Sequence, residues 1–133
     1  MSRAGQPAVA EWHCPEPEAK SIPALRTLAR PWIDEHAAER AEDVLVVLSE
    51  LATNAVLHAR TPFLLRLERN STVVRISVDD EDPQPPVLVD PAPDASRGRG
   101  LLLVDRLGAS WGIEVSGKGK TVWCELTLEG TGR

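Results

Sequence analysis

The chain has 133 residues, 42% of them hydrophobic and 26% charged, with fifteen Lys and Arg against twenty Asp and Glu for a formal charge of -5. That is the size and make-up of one folded domain spanning 1–133, with enough apolar material for a real core and too ordinary a charge content for wholesale disorder. The acidic balance argues against direct nucleic-acid binding, which needs clustered cations to replace counterions on phosphates.

The N-terminal stretch MSRAGQPAVAEWHCPEPEAK lacks the apolar core of a signal peptide, and no segment approaches the roughly 18 apolar residues of a membrane span. A cytoplasmic compartment without membrane attachment is the expectation. Cys14 and Cys124 form no metal-ligand spacing and read as reduced thiols.

In chain order, a short strand around Ala8 to Cys14 precedes a first helix from Glu18 to Glu35. Ile22, Leu25, Leu28, Ala29 and Trp32 recur in it at helical spacing. Pro23 suits the first turns, whereas Pro31 is expected to end or kink the helix. A second helix, Ala41 to Ala59, carries the apolar stripe Val44, Val47, Leu48, Leu51, Ala55 and Leu57, with no Gly or Pro inside. Two strands come next, Phe63 to Arg69 and Val73 to Asp80, joined by a turn at Asn70-Ser71. In the second of these, Val74, Ile76 and Val78 alternate with Arg75, Ser77 and Asp79, so one face looks inward.

From Asp79 to Ser96 the chain holds six acids, no base and five of its eleven prolines. Proline fixes φ and removes a donor, so this reads as a long loop of the kind that often carries function. Gly98-Arg99-Gly100 then opens a short apolar helix, Leu101 to Leu107. Strands near Ser110 to Val115 and Thr121 to Leu128, joined by Gly117-Lys118-Gly119, close the chain. Antiparallel strand pairs separated by helices indicate an α+β fold, a sheet covered on one face.

Several residues could carry chemistry. Glu50, Asn54 and His58 fall at i, i+4 and i+8 along the second helix. Asn54 can offer a carbonyl oxygen to Mg²⁺ while Glu50 accepts a proton nearby, although any solvent-facing stripe yields such triples. His58 is equally a helix-end histidine favouring the C-terminal dipole. Asp80 shares the parity of Val74, Ile76 and Val78 and is expected to point inward, with Asp79 pointing away. A buried carboxylate needs partners: an adenine amino group would serve, and so would the loop's own backbone amides. The bare amides opening the helix at Gly98 make an anion site. Lys120 shares parity with Val122, Cys124, Leu126 and Leu128. Its ammonium either neutralises a phosphate or snorkels from a strand end. Gly119-Lys120-Thr121 is no P-loop, because Glu114 stands at the position of its first Gly and a strand follows. The four tryptophans read as core or interface residues.

Taken in order, LSELATNAVLHA (48–59), VDDEDPQPP (78–86), GRGLLLVDRLGASWG (98–112) and GKTVWCEL (119–126) resemble the motifs of the GHKL ATPase superfamily, and most closely its compact anti-sigma-factor serine kinases of actinomycete type. The correspondence runs from about Glu18 to Leu128. The resemblance implies a Bergerat fold, a two-layer sandwich with a mixed, mostly antiparallel sheet, helices on one face and ATP between the layers. It implies Glu50 as general base and Asn54 as Mg²⁺ ligand. Asp80 would be the acceptor of the adenine amino group, and Gly98, Arg99, Gly100 and Leu101 the backbone around the phosphates. Lys120 and Thr121 would complete the ATP site, with Lys120 offsetting phosphate charge, and 81–97 would form the ATP lid. ATP and Mg²⁺ are the implied cofactors, and a STAS-type anti-anti-sigma protein and a sigma factor the implied partners. Related anti-sigma factors are often homodimers, so both monomer and dimer stay open. Two positions depart from the pattern: the usual Asp-x-Gly is Asp80-Glu81-Asp82, and Lys120 stands where many relatives carry Thr. Two other classes compete with a kinase. One is a non-catalytic module that uses ATP only for shape. The other is a sensor-kinase ATPase fragment, which ranks last because no phosphoacceptor-histidine helix is expected ahead of the domain.

Overall fold

The computed structural model describes residues 7–84, 107 and 110–128. Strand β1 (Ala8–Cys14) leads into α1 (Ser21–His36). A 3₁₀ turn at Ala38–Arg40 comes next, then α2 (Ala41–Asn54), which runs on as a π-helical turn over Ala55–Ala59. Strands β2 (Phe63–Arg69), β3 (Val73–Asp80), β4 (Ser110–Val115) and β5 (Lys120–Thr127) complete the described elements. The five strands form one sheet in the order β1-β2-β3-β5-β4. All four pairings are antiparallel, so the described sheet is wholly antiparallel rather than mixed.

Strand alternation decides which side chains enter the core. Phe63, Leu65 and Leu67 of β2, Val74, Ile76 and Val78 of β3, and Val122, Cys124 and Leu126 of β5 are buried on one face. Against them lie Leu25, Ala29 and Ile33 of α1 and Val44, Leu45, Val47, Leu48, Leu51 and Ala52 of α2. The architecture is a two-layer α+β sandwich with both described helices on the same side of the sheet. β3, the middle strand, lies under α2. The hairpin turn is built by Asn70, whose Oδ1 accepts from the amides of Thr72 and Val73 at 3.0 and 2.9 Å.

Two expectations for the helices change. Pro31 lies inside α1 and does not end it. Ile33 beyond it is fully buried, and the Trp32 and His36 rings meet at 4.9 Å, so packing on both sides outweighs the single lost backbone bond. Leu28, expected in the apolar stripe, is 58% exposed, and Ile33 takes the buried place.

In the second helix the α-repeat stops at Asn54. The Arg60 amide reaches back to the Ala55 carbonyl at 2.8 Å, and Arg60 ends the turn in the left-handed region at φ 59°. Ala55 and Val56 stay buried, whereas Leu57 is half exposed instead of in the core, because at helical spacing it lies about 180° around the axis from Leu48. Cys14 and Cys124 are both free and buried, and burial pushes the Cys124 thiol up to about 12. Among the described residues no helix is long and apolar enough to cross a membrane.

Candidate functional site

Asp80, Lys120 and Thr121 lie where β3 and β5 end together. Register pairs Asp80 with Lys120 and Asp79 with Thr121. Because both strands alternate, the first pair turns to the covered face and the second to the open face. Asp80 is therefore inward and buried, as its parity predicts, while Asp79 is exposed. Thr121 donates to Asp79 Oδ1 at 2.6 Å on the open side. It thus stands on the face opposite Asp80 and Lys120, not beside them.

The inward pair is an ion pair. Lys120 Nζ lies 3.0 Å from Asp80 Oδ2 and 3.2 Å from Oδ1, with the two side chains only 4% and 3% exposed. The ammonium also donates to the Asp82 carbonyl at 3.0 Å, and the Asp82 amide donates to Asp80 Oδ1 at 2.9 Å. Asp80 thus caps its own loop, one of the two partners considered for it. Lys120 does not snorkel: its ammonium is buried and turned to the Asp80 carboxylate. The cause is register: two strand ends carrying opposite charges face each other across one pairing, and a buried charge is tolerable only when paired and hydrogen-bonded.

Three contributors are not legible from the motifs. Gly119 approaches the Asp80 backbone so closely that a Cβ there would sit 2.0 Å from the Asp80 carbonyl oxygen. Only glycine fits. The Asp82 carbonyl holds the ammonium, and Thr61 Oγ1 accepts the Glu81 amide at 2.9 Å, anchoring the start of the loop. A turn containing Gly119 is readable in the sequence, but its apposition to Asp80 emerges only once the β3–β5 register is known.

A cleft of about 480 Å³ wraps this end of the sheet, lined among others by Asp80, Ser116, Gly119 and Lys120. A larger one, about 590 Å³, lies on the helical side against Arg26, Arg30 and Asp34. It holds none of the candidate residues, so the chemistry favours the smaller.

On the helical layer, Glu50 and Asn54 stand one turn apart in the last part of α2, both half-buried. Neither side chain has a hydrogen-bond or ion-pair partner among the described residues. Burial holds the Glu50 carboxyl above its ordinary value. His58 lies in the π-turn, out of α-helical register with the other two. Gly98, Arg99, Gly100 and Leu101, and most of the expected lid, lie outside the described residues.

Among the described residues no group of three or more His, Cys, Asp or Glu side chains is placed to hold a metal by itself. Asn54 fits Mg²⁺ in the other way this ion is bound, by one or two protein oxygens together with substrate phosphates and water. Its amide is unengaged by described neighbours, and Glu50 adds a second oxygen donor one turn away.

Residues 16–126 match the family model of the histidine kinase-like ATPase domain. An uncharacterized protein of Streptomyces coelicolor is 39% identical over 84 residues, an alignment covering 59% of this chain and 79% of that protein. Among solved structures, the histidine kinase domain of the blue-light activated histidine kinase from Erythrobacter litoralis EL346 superposes with a TM-score of 0.48 at 22% identity. That match covers 82% of this chain, which spans 60% of the other. The matched family residues take in α1, α2, β2, β3, β4 and all of β5 but its last residue, and on that ground the chain belongs to the histidine kinase-like ATPase domain family.

Proposed function

We propose that this domain is an ATP-dependent serine kinase of the anti-sigma-factor type, which phosphorylates a STAS-type anti-anti-sigma protein and binds a sigma factor in the cytoplasm. The observation that carries the catalytic part is Glu50. It is a half-buried carboxylate, unpaired among the described residues and held above its ordinary proton affinity, one helical turn from an Asn suited to Mg²⁺. A general base is most useful when its proton affinity lies nearer the working pH than that of a free carboxylate.

In this reading Glu50 takes the proton of the attacking serine hydroxyl, and the Asn54 amide oxygen holds the metal that accompanies the nucleotide. Asp80 accepts from the adenine amino group. Bound Mg-ATP supplies the transferable phosphoryl group and charge neutralisation at the phosphates. The protein's part is positioning and electrostatics, as in other phosphoryl transfers. Backbone amides at Gly98, Arg99, Gly100 and Leu101 would embrace the phosphates. Thr121 would line the cleft's outer rim, and the chain would act as a monomer or a homodimer.

Labelled ATP incubated with the domain and its STAS partner should transfer label to one serine, and Glu50→Ala should slow transfer about 10²- to 10⁴-fold while ATP still binds. A folded, ATP-loaded sample that transfers nothing refutes the kinase.

One observation favours a second reading, a non-catalytic module that sequesters a regulatory protein and uses ATP for shape: the cation expected at the phosphates is engaged with Asp80 instead. Partner release by ATP that survives Glu50→Ala unchanged would select it.

A further inference from the structure

The ion pair at the base of the cleft has more hydrogen-bonding capacity than the described residues use. An ammonium has three protons and a carboxylate about four acceptor sites. Lys120 gives one proton to the Asp82 carbonyl and bonds the carboxylate at 3.0 and 3.2 Å, a spacing that one bifurcated proton satisfies. Asp80 Oδ1 takes that proton and the Asp82 amide, while Oδ2 takes Lys120 alone. Among the described residues, one donor on Nζ and one acceptor on Oδ2 are therefore left over, side by side and 3.0 Å apart.

Both positions are set by backbone. The Asp80–Lys120 register fixes the two α-carbons, Gly119 lies against the Asp80 carbonyl, and the Asp82 turn clasps the ammonium. With side chains 4% and 3% exposed, neither group has freedom to swing out to a distant phosphate.

We propose that Lys120 is a base-reading residue, donating to the ring N1 of adenine while Asp80 accepts from the neighbouring exocyclic amine. This rests on the ATP reading above and specifies how the same site recognises its purine. Adenine offers on one edge an amine donor next to a ring-nitrogen acceptor, the complement of an Oδ2 acceptor next to an Nζ donor. Guanine offers acceptor and donor in the opposite order and would have to turn over in the cleft to meet the same pair. The geometry accordingly assigns Lys120 to base selection, in place of the phosphate role that its charge alone suggests.

The test needs no variant. Calorimetric titration of the wild-type domain with Mg-ATP and with 1-deaza-ATP, in which C–H replaces N1, should show the analogue about tenfold or more weaker, the cost of one charge-assisted hydrogen bond. Lys120→Met, checked by circular dichroism for folding, should bind ATP about as weakly as the wild type binds 1-deaza-ATP, and should show no further loss with the analogue. Equal affinity of the wild type for ATP and 1-deaza-ATP overturns the Lys120 assignment and leaves ATP binding intact. Binding of neither nucleotide overturns both.

Discussion

Asp79 and Asp80 are consecutive carboxylates on one strand, and the two faces of the sheet treat them oppositely. On the open face Asp79 sits in solvent with the Thr121 hydroxyl. On the covered face Asp80 is buried against Lys120 and its own loop. Residue chemistry is the same. What differs is a single step of strand alternation, which moves a charge from a medium where it costs nothing into one where it must be paired. The site is therefore made by register as much as by residue type, and the sharpest experiments are those that contrast the two faces.

The largest effect is expected from cutting the buried pair. Asp80→Ala leaves an ammonium buried without its counter-charge and should cost about 3–5 kcal/mol in urea unfolding. Asp79→Ala, on the solvent side, should stay within about 0.5 kcal/mol. Replacing both partners by apolar groups, Asp80→Leu with Lys120→Met, should recover most of the lost stability, because the pair offsets a desolvation penalty that the double variant never incurs. Equal costs for Asp79→Ala and Asp80→Ala would break the contrast between the faces.

A second contrast lies within one turn. Gly119→Ala drives a methyl group into the Asp80 backbone, which cannot yield as a flexible side chain does, and should cost about 1–3 kcal/mol. A methyl group at Gly117 would meet nothing within 4 Å, and the residue has no left-handed φ. Gly117→Ala should therefore stabilise by about 0.4–1 kcal/mol, by narrowing the unfolded ensemble. Thermal melts of the two variants should move in opposite directions.

These contrasts also show how much of the molecule is legible in its residues alone. β1, β2, β3 and β4 lie where alternation places them, and the inward aim of Asp80 and Lys120 comes from counting by two. α2 is readable because its apolar stripe is dense and unbroken. Pro31 misleads because local propensity cannot see that Ile33 is buried beyond it. The π-turn after Asn54 is invisible because nothing in AVLHA distinguishes it from α-helix. The ion pair is hidden for a related reason: the inward aim of each partner is local, but their apposition depends on which residue of β5 faces Asp80. Thr121 follows Lys120 in sequence, but alternation turns its hydroxyl to the open face, where it meets Asp79.

The smallest effect tests whether Glu50 is held ready for chemistry at the expense of stability. Its carboxyl is raised above the ordinary value of 4.5 by burial, so the folded state prefers it protonated. A raised carboxyl contributes stability that is complete below the unfolded value and is lost as pH rises through the folded one. At neutral pH that contribution is gone, and Glu50→Gln, fixed in the neutral form, should melt slightly higher than the wild type. Below pH 4.5 the wild type is protonated as well, and the difference should vanish. Under the proposed kinase reading, the same shift would place the acid limb of phosphotransfer above the pH where an ordinary glutamate would set it, since only the ionised form could take the serine proton. A melting difference that stays constant from acid to neutral pH would mean that the substitution acts through packing and that Glu50 carries no stored electrostatic cost. Asn54, one turn away and free of charge, is the control: Asn54→Ala should show no pH-dependent change in melting at all.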